Sequence, residues 1–178
     1  MNTFNRNVLS AAVGAIILGL GGLAQADETI KIAVAGPITG DVAQYGDMQM
    51  TGAKMAVEQL NAKGGVNGKK LEAVLLDDQC KPEQAVNVAG QIINQKIKYV
   101  VGHLCSGATI PVAKTYEEEG ILMITPAATN PTITQQGYQM VFRTIGTDDQ
   151  QGPTAGRYIA TQSKPKQLAI IHDSQTCG

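Results

Sequence analysis

Residues Tyr99–Thr129 read YVVGHLCSGATIPVAKTYEEEGILMITPAAT, and this stretch decides the fold. The short apolar runs at Tyr99–Gly102 and Ile121–Ile124 are typical of buried parallel strands. Between them, Ala108–Glu118 is predicted to form a helix that stops at Gly120. The stretch therefore predicts a strand, a loop, a helix, a second strand and a second loop.

The two loops of this stretch are the first candidate for a functional site. His103–Gly107 and Thr125–Asn130 follow the carboxyl ends of the two strands, which is where open α/β sheets bind their ligands. Both loops are rich in small hydroxyl-bearing residues and poor in charge. This composition favours a small zwitterion held by backbone amides and hydroxyls over a substrate attacked by a nucleophile.

The rest of the chain continues the alternation of strands and helices. Further strands are predicted at Glu28–Ala35, Lys70–Leu76, Tyr138–Thr144 and Leu168–Asp173. Further helices are predicted after Asp47, which can cap the first of them, from Pro82, and over Asp148–Thr161. Alternation with short loops predicts an α/β fold built on a doubly wound parallel sheet.

Apolar residues recur at helical spacing in three of the predicted helices, and we expect these stripes to be buried. The stripes consist of Ala53, Ala56, Val57 and Leu60 in the first helix, of Ala85, Val88, Ala89, Ile92 and Ile93 in the second, and of Val112, Ala113 and Tyr116 in the third.

The first 26 residues, Met1–Ala26, have the pattern of a secretory signal peptide. Arg6 lies in a short n-region, an apolar run follows over Val8–Leu23, and Ala24–Ala26 provides a small-x-small cleavage site. The run is short for a spanning helix and is interrupted by four glycines, which favours a cleaved leader over a membrane anchor. We therefore expect the mature chain to be exported and soluble.

Composition excludes one class of partner. Removing Arg6 with the leader leaves 13 basic against 15 acidic residues, a formal charge of −2. This balance does not favour nucleic acid as a partner, and a chain with no Trp and few aromatic residues offers no base-stacking surface.

Three cysteines in an exported chain invite a pairing argument. Cys80 and Cys105 each follow a predicted strand, and neighbouring parallel strands would bring them to the same edge of the sheet. We therefore predict a Cys80–Cys105 disulfide. Cys177 is left over, as a free thiol, as half of an intermolecular bridge, or as an accident of where the sequence stops.

No constellation of residues predicts catalysis, a metal or a cofactor. His103 lies between apolar residues and is interpreted as a satisfied core or loop histidine, and with Cys105 it lacks the further ligands that a metal needs. His172 and Cys177 have no orienting partner for nucleophilic chemistry. The side chains of Asp77–Asp78 point opposite ways in an extended chain, which is poor for shared acid–base work.

The end of the sequence does not fit a complete α/β domain. Only five residues follow the last predicted strand, Leu168–Asp173, so the helix that should cover it is missing. We therefore expect the sequence to be truncated.

Several long blocks of the chain together resemble the periplasmic leucine/isoleucine/valine-binding proteins of ABC transporters. The blocks are VAQYGDMQMTGAKMAVEQLNAKGGVNGKKL, DDQCKPEQAVNVA, IKYVVGHLCSGATIPVAKTYEEEGILMITPAATNP and DQQGPTAGRYI. The resemblance covers Asp27–His172 and implies the type I binding-protein fold, in which two α/β lobes close on the ligand. Residues 27–147 would form an incomplete first lobe, and residues 148–178 the truncated start of a second.

The resemblance also implies a ligand site. Ser106 would offer its hydroxyl to the ligand's α-carboxylate, Ala127 its carbonyl to the α-ammonium, and Thr129 its N–H to the carboxylate and its hydroxyl to the ammonium. The residues implied to border the aliphatic side chain are Tyr45, Leu104 and Cys105. On the residues alone, Ser106 could instead cap a helix and Thr129 could be a turn residue, while Tyr45 stands in a loop of turn formers, Gly36–Gly46.

The partners implied are a branched-chain amino acid (leucine, isoleucine or valine) and a membrane ABC permease, for a monomeric periplasmic protein without a cofactor. The family has a tyrosine where Cys177 stands, and that ring helps to wall the site. Another amino acid or a short amide remains an alternative ligand, and a non-functional fragment an alternative state. A hydrolase or a nucleotide-using enzyme would need a nucleophile elbow or a phosphate loop, which the sequence lacks.

Overall fold

The computed structural model describes residues 29–172 and residue 176, so the predicted leader, Met1–Ala26, and Cys177 lie outside the described residues. Within this part of the chain the strands are β1 Ile30–Gly36, β2 Leu71–Asp77, β3 Tyr99–Gly102, β4 Leu122–Thr125 and β5 Val141–Arg143. They form one parallel sheet in the order β2-β1-β3-β4-β5. This order confirms the predicted α/β fold.

Helices cover the sheet from both sides. They are α1 Ala43–Ala62, α2 Pro82–Asn94, α3 Ser106–Glu118 and α4 Asp148–Tyr158, with a 3₁₀ turn at Pro131–Ile133 and a π-helical turn at Ile159–Ser163. α1 packs on β1 and β2, while α2 and α3 pack on each other and on the opposite face. Helices on both faces make the sheet doubly wound, as the sequence predicts. Within the described residues, no helix is long and apolar enough to cross a membrane.

The core lies between the sheet and the pair formed by α2 and α3. The predicted stripes of these helices are buried there, apart from the half-buried Ile93. From the sheet, alternate residues of three neighbouring strands point into the same core, namely Ala33 and Ala35 of β1, Val100 of β3 and Met123 of β4. The helical spacing of these residues therefore predicts the main core correctly.

The face of the sheet that carries α1 is only partly covered. This corrects two predictions, the burial of the α1 stripe and the full burial of the apolar run Ile121–Ile124. Leu60 of the predicted α1 stripe is 41% exposed, and on β4 and β5 the side chains of Ile124 and Phe142 are 36% and 47% exposed. Since α1 packs mainly on β1 and β2 and reaches β3 through the Gln49 side chain, the α1 stripe lines an open apolar groove of about 400 Å³. The side chains of β4 and β5 on this face are exposed to solvent. The spacing of apolar residues predicts which face of a helix or strand is apolar, but the burial of that face depends on the element that covers it.

Two local predictions are also wrong. α1 begins at Ala43 instead of after Asp47, because the chain already turns with the Ala43 N–H bound to the Gly40 carbonyl. The predicted strand Leu168–Asp173 does not form over 168–172, where Ile170 and Ile171 are 86% and 92% exposed. A strand needs a hydrogen-bonding neighbour, and the described strands pair only with one another.

Candidate functional site

The site is built at the carboxyl ends of β3 and β4, where the two hydroxyl-rich loops meet. Ser106 is the first residue of α3 and is fully buried. Its Oγ accepts a hydrogen bond from the main-chain N–H of Asn130 at 3.2 Å. Cys105, and not Ser106, occupies the helix cap, and no side chain caps the helix. The Ser106 hydroxyl therefore joins the two loops instead of capping α3.

Thr125 shapes the second loop from the end of β4. Its Oγ1 accepts hydrogen bonds from the N–H groups of Ala127 at 3.4 Å and Ala128 at 3.1 Å. The same hydroxyl donates to the main-chain carbonyl of His103 at 2.7 Å. The Thr129 carbonyl accepts from the Asp148 N–H at 3.1 Å, where α4 begins. These contacts fix the backbone of the loop on both sides of Ala127.

Several polar main-chain groups remain available at this edge. Within the described part of the chain, the Thr129 N–H and the Ala127 carbonyl have no hydrogen-bond partner. The N–H groups of Ser106 and Gly107 lie in the first turn of α3, where a helix has no acceptor of its own for them. The helix dipole adds positive potential at this end. The edge can therefore bind an anionic group beside a cationic hydrogen-bond donor, which are the two charged groups of a zwitterion.

Arg143 of β5 supports the second loop from below. Its guanidinium donates to the carbonyl of Ala128 at 3.0 Å, to the carbonyl of Pro131 at 3.3 Å and to Oγ1 of Thr134 at 2.6 Å. Burial lowers the pKa of this guanidinium, although nearby carboxylates act in the opposite direction. Its planar fork of donors ties together three points of the segment that follows β4.

The three residues expected to border an aliphatic side chain occupy different positions. Leu104 and Cys105 are half-buried in the first loop, next to Ser106 in the chain. Tyr45 lies in the first turn of α1 instead of in a loop, and it is 52% exposed. Its helix follows β1, the neighbour of β3, so it stands at the same edge of the sheet.

The predicted Cys80–Cys105 disulfide is present, with a Cα–Cα distance of 5.4 Å. The reasoning behind it needs one correction, because β1 lies between β2 and β3 and the two parent strands are not neighbours. The loop after β2 therefore crosses the end of β1 to reach the loop after β3. Where β3 pairs with β1, a side chain on Gly102, which has a φ of +136°, would collide with the Ala35 carbonyl.

Asp77 and Asp78, at the end of β2, face opposite sides as predicted. Asp77 accepts hydrogen bonds from the N–H groups of Ile38 and Thr39 and, at 2.6 Å, from the Thr39 hydroxyl. Burial acts to raise the pKa of Asp77, but these bonds and one from the Gln79 N–H outweigh it and lower the pKa. The carboxylate thereby holds the loop between β1 and α1.

Asp78 instead belongs to a fully buried polar chain beneath the site. Its Oδ2 lies 2.6 Å from Nδ1 of His103, and Nε2 of His103 lies 2.9 Å from the Tyr116 hydroxyl. Asp78, His103 and Tyr116 are all 0% exposed. The interpretation of His103 as a satisfied core histidine is confirmed. Both ring nitrogens are engaged inside the protein, so this Asp–His pair cannot act as a general base on a substrate.

The sequence places Thr125 and Asn130 at the two ends of the second loop, but it does not predict the hydrogen bonds by which they hold the two loops together. The Asn130-Pro131 dipeptide is the available signal, since the Asn130 side chain accepts from the Thr132 N–H in a turn typical of Asn before proline. The Asn130 side-chain amide also donates to the Thr176 carbonyl at 3.2 Å, which places Thr176 beside the loops. Among the described residues there is no group of three or more His, Cys, Asp or Glu side chains that could hold a metal ion.

Comparison with known proteins gives one family. A family model described as "Periplasmic binding protein" matches residues 29–178. The chain is 56% identical over 162 residues to the leucine-, isoleucine-, valine-, threonine-, and alanine-binding protein of Pseudomonas aeruginosa, covering 91% of this chain and 43% of that protein. It is 54% identical over 165 residues to the Leu/Ile/Val-binding protein of Escherichia coli, covering 93% of this chain and 45% of that protein.

A solved structure agrees with these relatives. The branched-chain amino acid transporter substrate binding protein LivJ from Streptococcus pneumoniae, in complex with isoleucine, superposes with a TM-score of 0.73 at 32% identity. The match covers 77% of this chain and 39% of that one. The chain spans less than half the length of the curated relatives that it matches.

Proposed function

This chain belongs to the periplasmic binding protein family, and on that basis we propose that it is an exported solute-binding protein that captures leucine, isoleucine or valine for uptake by an ABC permease. The observation that carries the proposal is the hydrogen bond from the Asn130 N–H to the Ser106 hydroxyl, which joins the two hydroxyl-rich loops at one edge of the sheet. The names of the relatives support the ligand class, since each is named for branched-chain amino acids.

The proposed ligand contacts follow from the chemistry of this edge. The α-carboxylate binds at the N-terminus of α3, where the Ser106 hydroxyl, the main-chain amides of the first turn and the helix dipole favour an anion. The Thr129 N–H is a further donor to the carboxylate. The α-ammonium donates to the Ala127 carbonyl and to the Thr129 hydroxyl. Each group of the zwitterion thus meets a partner of opposite polarity.

The side-chain preference is proposed to come from apolar burial. Leu104 and Cys105 are half-buried next to Ser106, and Tyr45 presents an exposed aromatic ring at the same edge. Burying a leucine side chain against such a wall contributes roughly 2–3 kcal/mol, whereas an alanine methyl contributes much less. Aliphatic amino acids are therefore favoured over small and charged ones.

The wider setting is part of the same proposal. Residues 1–26 act as a cleaved signal peptide, residues 27–147 as a first ligand-binding lobe and residues 148–178 as the start of a second. Two features support this division, since the described sheet lies within residues 30–143 and α4 has no buried residue. The protein is proposed to act as a periplasmic monomer and carrier, without enzymatic activity or a cofactor.

A second candidate keeps the fold and changes the ligand. The Pseudomonas aeruginosa relative is named for threonine and alanine as well as for the branched-chain residues. Because an α-carboxylate and an α-ammonium are common to all of these, the contacts proposed for Ser106, Ala127 and Thr129 do not discriminate among them. The choice would then rest on the apolar wall. A short amide or a fragment without binding activity are the remaining alternatives.

Calorimetric titration of the purified chain with leucine, alanine and glutamate tests the proposal. We expect leucine to bind more tightly than alanine and glutamate to give no heat of binding. Tighter binding of alanine than of leucine would favour the second candidate. No binding of leucine, or equal binding of all three ligands, would contradict the proposed function.

A further inference from the structure

His103 connects more parts of the site than any ligand contact proposed above. Its ring bridges the loop after β2, through Asp78, and the helix α3, through Tyr116. Its carbonyl accepts from the Thr125 hydroxyl at 2.7 Å and from the Thr109 hydroxyl at 3.2 Å. One fully buried residue therefore contacts both loops of the site, the helix between them and the disulfide-bearing loop.

The partners of the two ring nitrogens favour one tautomer of His103. Burial, together with the negative charge of Asp78, raises the pKa of the Tyr116 hydroxyl, so this group keeps its proton. Within the described chain, Nε2 of His103 is the hydrogen-bond partner of that hydroxyl. If Tyr116 donates to Nε2, this nitrogen is unprotonated, and Nδ1–H donates to Asp78. The other oxygen of Asp78 accepts from the Cys80 N–H at 2.8 Å, so every group in the chain is satisfied.

The carbonyl of His103 extends this chain to the second loop. It accepts from Thr125, whose oxygen in turn accepts from the N–H groups of Ala127 and Ala128. Three residues further along the first loop, the hydroxyl of Ser106 accepts from Asn130. The two loops are thus joined at two points, at Thr125 beneath the site and at Ser106 within it.

We propose that His103 is a positioning residue of the ligand site, whose ring and carbonyl together hold the Ser106 and Ala127–Thr129 segments in binding geometry. The proposal rests on the function proposed above. It assigns no contact between His103 and the ligand, because the ring is fully buried. A group that holds ligand contacts in place lowers the cost of ordering them when the ligand binds.

The test compares substitutions of the buried chain. His103→Leu removes both hydrogen bonds of the ring, while His103→Asn retains an N–H donor towards Asp78. Tyr116→Phe keeps the aromatic volume and removes only the hydroxyl that bonds Nε2. The matched control is Ile92→Ala, which truncates a fully buried side chain of α2, a helix outside the two loops. Tyr116→Phe decides the question if His103→Leu does not fold.

Two readouts separate positioning from general stability. The first is amide hydrogen exchange of Ser106 and Ala127–Thr129, measured relative to amides of β1 in the same protein. The second is leucine affinity at a temperature where each variant is fully folded. We expect His103→Leu to speed exchange of the loop amides and to weaken leucine binding, each by about tenfold, with partial rescue in His103→Asn. Ile92→Ala should change neither readout.

The outcomes are distinct. If His103→Leu and Tyr116→Phe change loop exchange and leucine affinity no more than Ile92→Ala does, the positioning role is overturned. Nitrogen NMR of His103 at neutral pH should show the Nδ1–H tautomer, and a protonated Nε2 would overturn the arrangement of donors. If the unmodified chain does not bind leucine, the proposed function fails, while the exchange comparison still decides the role of His103.

Discussion

The main-chain N–H of Asn130 donates a hydrogen bond to the hydroxyl of Ser106, at 3.2 Å and across 24 positions of the sequence. The two residues follow different strands, β3 and β4, which pair in the sheet from Tyr99 and Leu122 onward. Parallel pairing brings the loops to one edge, and this hydrogen bond joins them there. A change in either loop should therefore be felt in the other.

Ser106→Ala should weaken leucine binding without unfolding the protein. The substitution removes the hydroxyl proposed for the ligand carboxylate and the acceptor for the Asn130 N–H. A hydrogen bond to a charged group contributes about 1.5–3 kcal/mol, so we expect affinity to fall by about ten- to one-hundredfold. Calorimetry with leucine measures this. Thr115→Ala, further along α3, is the control, and an equal loss in both variants would count against a specific role of Ser106.

Arg143→Lys should loosen the segment after β4 although it keeps the positive charge. Lysine cannot reach the Ala128 and Pro131 carbonyls and the Thr134 hydroxyl at the same time. We expect the free energy of unfolding to fall by about 1–3 kcal/mol. Urea unfolding provides the measurement, with Arg157→Lys on the exposed helix α4 as the control. Equal stability of the two variants would show that the fork of Arg143 does not matter.

Asp77→Asn should change how stability depends on pH. The folded-state pKa of Asp77 lies below its ordinary value of 3.8, so its carboxylate stabilises the fold above that pH and loses this effect as the pH falls through the lowered pKa. At pH 7 we expect the variant to lose about 1–2 kcal/mol in its free energy of unfolding.

The same experiment has an internal control in pH. The difference between wild type and Asp77→Asn should shrink as the pH is lowered from 6 to about 3, because protonation removes the same interaction in the wild type. Asp41→Asn, in the same loop and exposed, is the matched control for removing one negative charge at pH 7. A difference between wild type and Asp77→Asn that is constant with pH would contradict the role of the ionised carboxylate.

Removal of the Cys80–Cys105 disulfide should destabilise the fold substantially. The bond joins residues 25 positions apart, and the loop-entropy relation gives about 3–4 kcal/mol for a loop of that length. Urea unfolding of Cys80→Ala/Cys105→Ala, compared with the unreduced protein, measures the loss. Both proteins should carry Cys177→Ser so that no other thiol can pair. A loss below about 1 kcal/mol would mean that the bond constrains the unfolded chain very little.

The sequence predicts most accurately where local pattern and burial agree. The stripe from Ala85 to Ile92 and the face of Val112 and Tyr116 are buried as their spacing indicates. In these helices the sheet supplies the covering partner on the side that the pattern selects. Leu60 and Ile124 also lie in apolar patterns but remain partly exposed, because α1 packs mainly on β1 and β2. Spacing cannot reveal how far a covering element reaches.

The meeting of the two loops at one edge could be predicted from the sequence, but the hydrogen bonds that join them could not. Short hydroxyl-rich loops after two adjacent strands place Ser106 and Thr129 at one edge, which the topology confirms. The links from His103 to Asp78 and Tyr116 span 25 and 13 positions and depend on side-chain directions that no sequence period encodes. The prediction of a strand at Leu168–Asp173 is wrong for a related reason. A strand needs a second strand to pair with, and the sequence of one segment does not show whether that partner is present.

The most direct test of the central claim is a proton–nitrogen NMR titration of the chain with leucine, followed residue by residue. The claim is that an amino acid binds between the Ser106 and Ala127–Thr129 segments. We expect the amide signals of Ser106, Gly107 and Thr129 to shift together and to saturate with one dissociation constant. Absence of saturable shifts, or shifts confined to the apolar groove beside α1, would contradict the claim.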